Sequence, residues 1–278
     1  MQWFEIIKAV ILGIVEGITE WLPISSTGHM ILVDEFLKLG LSDAFKEMFF
    51  VVIQLGAILA VVVIFWKRLI PFTVERGKCR IHKDTVKMWL LIILACIPAG
   101  IAGILWDDEI NQLFYNYQTV ANALIVYGVL FLLIEWKNKG KQPVINSIAE
   151  LTIPTVLVIG LFQLLAAVIP GTSRSGATIF AGILMGTSRS VAAEFTFYLA
   201  VPVMLGASVL KLAGFGFSFT GLELAVLAAG MVTAFVVSML IIRFLMNYVK
   251  KHDFRVFGWY RIALGVVVLI FFRFFAGA

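Results

Sequence analysis

Apolar residues run through most of this chain without the alternation of a half-buried strand. Six stretches, 45–66, 86–106, 118–136, 192–213, 222–245 and 256–275, carry few charges. Each has the length of about 20 residues that a helix needs to cross a bilayer core. Two further regions, 3–40 and 152–190, are apolar but broken in the middle by proline, glycine and hydroxyl residues. The breaks read Pro23-Ile-Ser-Ser-Thr-Gly-His29 and Pro170-Gly-Thr-Ser-Arg-Ser-Gly176. The pattern predicts an all-α polytopic membrane protein.

Composition narrows the class further. Of 278 residues 61% are hydrophobic and 14% charged, far from the near-even, quarter-charged balance of a soluble domain. A soluble enzyme and a disordered chain are excluded, and so is an outer-membrane barrel, whose strands would alternate. The excess of 22 basic over 17 acidic residues, +5, falls in the gaps between apolar stretches. It therefore reads as topology-setting loop charge and not as a nucleic-acid surface. Cys79 and Cys96 lie too far apart in character, one in a basic loop and one in an apolar stretch, to suggest a metal site or a disulfide. No removable signal peptide is expected.

The basic connections are 67–87 (Lys67, Arg68, Arg76, Lys78, Arg80, Lys83, Lys87), 137–141 (Lys137, Lys139, Lys141) and 250–255 (Lys250, Lys251, Arg255). The 107–117 connection instead holds Asp107, Asp108 and Glu109, and 214–221 is uncharged. The positive-inside rule places the first three in the cytoplasm and the other two outside. Region 152–190, flanked by Lys141 and Arg189, must then start and finish in the cytoplasm. Its halves are too short for two full spans, which predicts a re-entrant helical hairpin. Region 3–40 is by the same reasoning a hairpin entering from outside, although Lys8, Lys38, Lys46 and Arg273 fall near that side.

Sliding the chain by 147 residues superposes the breaks. Gly13 falls on Gly160, Glu16 on Gln163, Pro23 on Pro170, Ser26 on Ser173, Glu47 on Glu194 and Phe50 on Phe197. The expected architecture is one integral membrane domain, 1–278, of six transmembrane helices plus two re-entrant hairpins in an inverted-topology repeat (about 1–136 and 152–275). Such a repeat brings its broken elements together near the midplane, where substrate sites form.

Those elements carry the candidate chemistry. Glu16 and Glu20 are spaced to share a helix face. His29 ends the first break and Arg174 sits inside the second. Ionisable groups at membrane depth cost about 2.5–3.5 kcal/mol each on insertion scales, so four of them point to function. The plain alternative is a Glu–Arg pair that only locks the hairpins together. Around them stand Ser25, Ser26, Thr27, Gly28, Gly171, Thr172, Ser173, Ser175, Gly176 and Thr178. Hydroxyls, free amides at a helix start and a guanidinium make an anion site suited to phosphate. For Ser25 and Ser175 local capping is the simpler role. The glycines would let backbone approach a ligand. Carboxylates facing a phosphate call for a cation between them, so Glu16 and Glu20 suggest Mg²⁺ or Ca²⁺. His29 can move protons near neutral pH.

The segment Glu16-Gly-Ile-Thr-Glu20-Trp-Leu-Pro-Ile-Ser-Ser-Thr-Gly-His29, followed by Pro170-Gly-Thr-Ser-Arg-Ser-Gly-Ala-Thr178, resembles the paired signature of the bacterial undecaprenyl-diphosphate phosphatase family, also called the bacitracin-resistance family. The intervening Phe50-Val-Val-Ile-Gln54-Leu-Gly stretch also fits, and the resemblance covers essentially the whole chain. It implies hydrolysis of a C55 isoprenyl diphosphate to the monophosphate at the periplasmic or outer face of the inner membrane, recycling the lipid carrier of cell-wall synthesis. It further implies that Glu16, Glu20, Ser26, His29, Ser173 and Arg174 carry the activity.

Together these readings give Glu16, Glu20, Ser26, His29 and Arg174 as the expected catalytic set. Ser26 would be the nucleophile with His29 as its acid/base partner, or a metal-bound water would attack directly. Ser25, Thr27, Gln54, Gly171, Thr172, Ser173, Ser175 and Thr178 would hold phosphate, and Glu16 and Glu20 the metal. The expected partners are an isoprenyl diphosphate lipid and membrane lipid, with a homodimer open and nucleic acid excluded. Two other classes compete. One is a transporter or lipid-carrier flippase, favoured by the inverted repeat. The other is an acid-phosphatase-like lipid phosphatase, which Ser26-Thr-Gly-His29 echoes but whose later histidine spacing His252-Asp253 does not supply.

Overall fold

The computed structural model describes residues 2–75, 78–216 and 218–274. Arg76, one of the orienting basic residues, lies outside them. In chain order the described helices are α1 (Gln2–Thr19), α2 (Ser26–Leu37), α3 (Asp43–Val52), α4 (Gln54–Leu69), α5 (Lys83–Leu105), α6 (Asp107–Phe114), α7 (Tyr117–Lys137), α8 (Ile153–Val168), α9 (Arg174–Leu184), α10 (Arg189–Phe215), α11 (Gly221–Tyr248) and α12 (Arg255–Phe274). Strands β1 (Phe72–Glu75) and β2 (Lys78–Ile81) pair antiparallel, with Phe72 opposite Ile81 and Thr73 opposite Arg80.

Six helical units are long and apolar enough to cross a membrane: α3–α4 taken together, α5, α7, α10, α11 and α12. Their ends fall within three residues of the six predicted stretches. Exposed Leu90, Ile97, Leu133, Leu240 and Val267 give these helices an apolar outer surface, as lipid contact requires. Three details differ from the sequence reading. The first span is jointed at Ile53, where α3 passes into α4 with no side-chain cap. The 67–87 connection contains the β1–β2 hairpin, and the 107–117 connection contains α6. These pieces are too short to register in an apolar stretch of spanning length.

Each broken region folds as two helices joined by a tight break, 18 and 12 residues in the first and 16 and 11 in the second. The chain entering each pair meets the chain leaving it. The Gly40 amide donates to Glu5 at 2.7 Å, and Lys8 Nζ to the Lys38 carbonyl at 2.7 Å. At the second pair the Val144 amide donates to Gly186 O at 2.9 Å and the Ser188 amide to Ile145 O at 2.8 Å.

The packing crosses between the halves of the chain. Helix α1 lies on α11, α8 on α5, α7 on α12, and α10 on α3–α4. At opposite ends of that last pair Lys211 meets Glu47 at 2.7 Å, and Arg68 meets Glu194 at 2.5 Å. A Glu in the opening turns of each element thus pairs with a basic residue near the close of the other.

Candidate active site

The breaks owe their shape to their sequence. A proline cannot continue the helical hydrogen-bond ladder, so Pro23 and Pro170 lie where α1 and α8 have ended. The chain re-enters helix through Ser25 and Ser173, the two non-glycine residues with positive φ among the described residues, at 73° and 69°. Each caps the helix it begins: Ser25 Oγ accepts from the Gly28 amide at 3.3 Å and Ser173 Oγ from the Gly176 amide at 3.1 Å. This corrects the ungapped comparison of the breaks. Ser173 matches Ser25, not Ser26, because the second break has one more residue between its proline and its cap. Ser26 and Arg174 therefore hold the same position, the first of α2 and of α9.

From that position both reach Glu20. Arg174 Nη2 pairs with Glu20 Oε1 at 2.8 Å, and Ser26 Oγ donates to Glu20 Oε2 at 2.9 Å. Arg174 Nη1 donates to the Thr196 carbonyl at 3.0 Å, its guanidinium stands 5.9 Å from the Trp21 ring, and its buried Nε has no hydrogen-bond partner. Glu20, Ser26, Thr27, Gln54, Gly171, Ser173 and Arg174 line one cavity of about 830 Å³. From this polar end it extends past Ala99, Gly100, Ala166 and Ala207 to Lys211 and Phe215. Nothing stands within 4 Å of a Cβ built on Gly100 or Gly206, so the small residues there leave room instead of closing a helix contact.

The remaining predicted residues do not line the cavity. Ser25 is a buried cap. Ser175 Oγ crosses to the Leu22 carbonyl at 3.2 Å, tying the two breaks together. Thr178 Oγ1 bonds the Arg174 carbonyl at 2.9 Å and Thr196 Oγ1 at 2.8 Å, steadying the first turn of α9. Thr172 is fully buried, its hydroxyl without a partner. His29 turns away from Ser26: Nδ1 meets the Ser25 carbonyl at 2.7 Å and Nε2 meets Tyr260 Oη at 2.7 Å. Nor do the glycines simply open the backbone to a ligand. A Cβ on Gly171, at φ 89°, would strike the Val120 carbonyl at 2.5 Å, and one on Gly176 would reach Arg261 Nη1 at 3.0 Å. His252 stacks on Tyr248, and Asp253 pairs with Arg255, both away from the cavity.

Arg261 is the residue that sequence reasoning missed. It is fully buried in α12, and its guanidinium donates to the carbonyls of Thr172 at 2.8 Å, Gly171 at 3.0 Å and Pro23 at 3.3 Å. One cation thus holds both breaks from behind. The signal was present, since an arginine inside the 256–275 span is as costly as one in a hairpin. Tyr260 beside it, and Thr196, carry no comparable mark in the sequence.

Among the described residues no three His, Cys, Asp or Glu side chains gather as a metal cluster. Glu16 and Glu20 nevertheless suit a hard cation. Their carboxyls adjoin, Glu16 is buried, and its Oε1 has no hydrogen-bond partner. Mg²⁺ commonly takes one or two carboxylates and completes its shell with substrate phosphate and water.

Residues 9–267 match the family described as "Bacitracin resistance protein BacA". Similar proteins include the undecaprenyl-diphosphatase of Desulfitobacterium hafniense, 65% identical over 272 residues that cover 98% of each chain. Undecaprenyl-diphosphatase 1 of Clostridium acetobutylicum is 61% identical over 98% of this chain and 99% of its own. The undecaprenyl-diphosphatase of Acetivibrio thermocellus is 59% identical over 96% of this chain and 98% of its own. With its paired breaks, membrane-spanning helices and a family match over nearly its whole length, the chain belongs to the BacA bacitracin-resistance family.

Proposed function

We propose that this protein hydrolyses undecaprenyl diphosphate to undecaprenyl phosphate and inorganic phosphate, recycling the lipid carrier of peptidoglycan synthesis and so conferring bacitracin resistance. The observation that carries the reading is the junction of Arg174 with Glu20 and Ser26 at the polar end of a wide apolar cavity. The diphosphate occupies the polar end and the isoprenyl tail leaves past the small residues of α5 and α10 into lipid.

The guanidinium of Arg174, which spans Glu20 and the Thr196 carbonyl, turns its paired donors to the terminal phosphate and holds its developing charge. Glu20 accepts the Ser26 proton as Ser26 Oγ bonds to the terminal phosphorus. The bridging P–O bond breaks, undecaprenyl phosphate leaves, and water then releases phosphate from the serine. The hydrogen bond from Ser26 to Glu20 favours this carboxylate over His29 as the base. His29 acts one step back, fixing the Ser25–Ser26 turn through the Ser25 carbonyl. Mg²⁺ or Ca²⁺ held by Glu16 and Glu20 would offset the charge of the diphosphate. Thr27, Gln54, Gly171 and Ser173 complete the phosphate pocket, while Ser25, Thr172, Ser175 and Thr178 support it.

In this reading the two helix pairs are re-entrant hairpins of an inverted repeat in a single domain, and the cavity opens on the periplasmic side of the inner membrane. The meeting of the entering and leaving chain at each pair and the reciprocal Lys211–Glu47 and Arg68–Glu194 bridges support it. So does the chemistry of the faces. Lys8, Lys38, Lys46 and Lys211, near the proposed outer end, are each matched by an acidic side chain, whereas the basic loops crowd the other end. The residues proposed to line the phosphate pocket all come from one chain.

The test is phosphate release from purified protein in detergent, where no gradient exists. Equal amounts of inorganic phosphate and lipid monophosphate are expected. Lipid movement across vesicles without phosphate release would establish the flippase reading instead.

A further inference from the structure

A second cavity, of about 430 Å³, lies at the basic end of the molecule, between the close of α7 and the starts of α10 and α12. Four of its side chains are cationic, Lys139, Lys141, Arg189 and Arg255, and two anionic, Glu135 and Asp253, an excess of two positive charges. The acids are already satisfied. Glu135 is buried and takes Arg189 Nε at 2.9 Å and the Phe254 amide at 3.0 Å. Asp253 takes Arg255 Nε at 2.8 Å and the Arg255 amide at 3.1 Å. Lys139 and Lys141 have no such partner among the described residues and are exposed.

The walls show what sort of anion fits. Trp136 and Trp259 line the same cavity and are 76% and 64% exposed. Indoles left open beside ammonium groups at the end of a spanning helix mark the level where head groups meet acyl chains. Leu132 below them continues the wall toward the apolar surface. A free inorganic ion would use the charges and leave the indoles idle, whereas a phospholipid uses both. Basic pockets between spanning helices at the cytoplasmic face suit anionic lipid head groups.

We infer that this cavity binds the phosphodiester head group of an anionic phospholipid of the cytoplasmic leaflet, with Lys139 and Lys141 contacting the phosphate and Trp136 and Trp259 flanking its glycerol and upper chains. The site is separate from the hydrolytic cavity and serves as an anchor for α7, α10 and α12.

The experiment reconstitutes the full chain in phosphatidylcholine vesicles and compares immobilisation of spin-labelled phosphatidylglycerol with spin-labelled phosphatidylcholine. The wild type should prefer phosphatidylglycerol. Exchanging both lysines (Lys139→Gln, Lys141→Gln) should lower that preference by about fivefold per lysine at low ionic strength, the gap shrinking as salt rises. Phosphate release in detergent should stay at the wild-type rate. Equal immobilisation of the two lipids, or an unaltered preference in the double variant, would overturn the inference. So would full displacement of phosphatidylglycerol by inorganic phosphate, which would make this a site for a free anion.

Discussion

Ser26 and Arg174 meet at Glu20 because two left-handed serines place them. Each stands one residue after a cap at φ 73° or 69°, and each projects toward Glu20. The residues themselves were legible, since both motifs announce themselves by charge and hydroxyls inside apolar sequence. Their pairing was not. Which hydroxyl faces the cavity depends on the phase of a helix set by its cap, and one extra residue before Ser173 shifts that phase. Hence Ser26, expected to bond His29, bonds Glu20, while His29 bonds Tyr260. Ser26→Ala should lower kcat/KM by roughly 10²-fold or more, as expected for removing a positioned reacting group. It should leave thermal stability close to wild type, because its hydroxyl bonds only a carboxylate that Arg174 still holds. His29→Gln should be milder, since an amide can still reach Tyr260. If the histidine variant is the more damaged in steady-state assays, Glu20 is not the base. A chelator should abolish hydrolysis and Mg²⁺ or Ca²⁺ restore it; full activity in excess chelator would assign Glu16 to structure.

At the scale of elements, the spanning helices could be read from length and apolarity alone, and the breaks from Pro23 and Pro170. Short elements escaped. The β1–β2 hairpin and α6 carry no apolar run of diagnostic length, and the joint at Ile53 is hidden inside an unbroken one. The clamp behind the breaks escaped for another reason: Arg261 is far away in sequence, and its partners are carbonyls, which every residue has. Charged donors to carbonyls contribute about 1.5–3 kcal/mol each, and Arg261 serves both breaks. Arg261→Met should therefore depress both the unfolding midpoint and phosphate release. Arg261→Lys, with one ammonium in place of a fork, should recover only part of each. Thermal unfolding beside phosphate release gives the comparison, and a methionine variant matching wild type in both would remove Arg261 from this role.

For the whole molecule, sequence charge gave an orientation and the fold adds a cavity that runs toward α6 and the α10–α11 connection. Exposed Glu109 and Arg80 stand in oppositely assigned loops. In a background lacking Cys79 and Cys96, Glu109→Cys should react with an impermeant thiol reagent on intact cells and Arg80→Cys only after lysis. The reverse pattern would turn the cavity toward the cytoplasm. In the proposed mechanism the second half of the chain lends the first half its phosphate-binding cation. The most direct measurement of that claim is kcat/KM for Arg174→Lys and Arg174→Ala, taken with their unfolding midpoints. Losing one charge-assisted hydrogen bond should cost lysine roughly 10–10² in rate, and losing both should cost alanine roughly 10²–10⁴. The lysine variant should unfold near the wild-type temperature. A well-folded Arg174→Lys protein with wild-type turnover would show that Arg174 only locks the hairpins through Glu20, and would contradict the account.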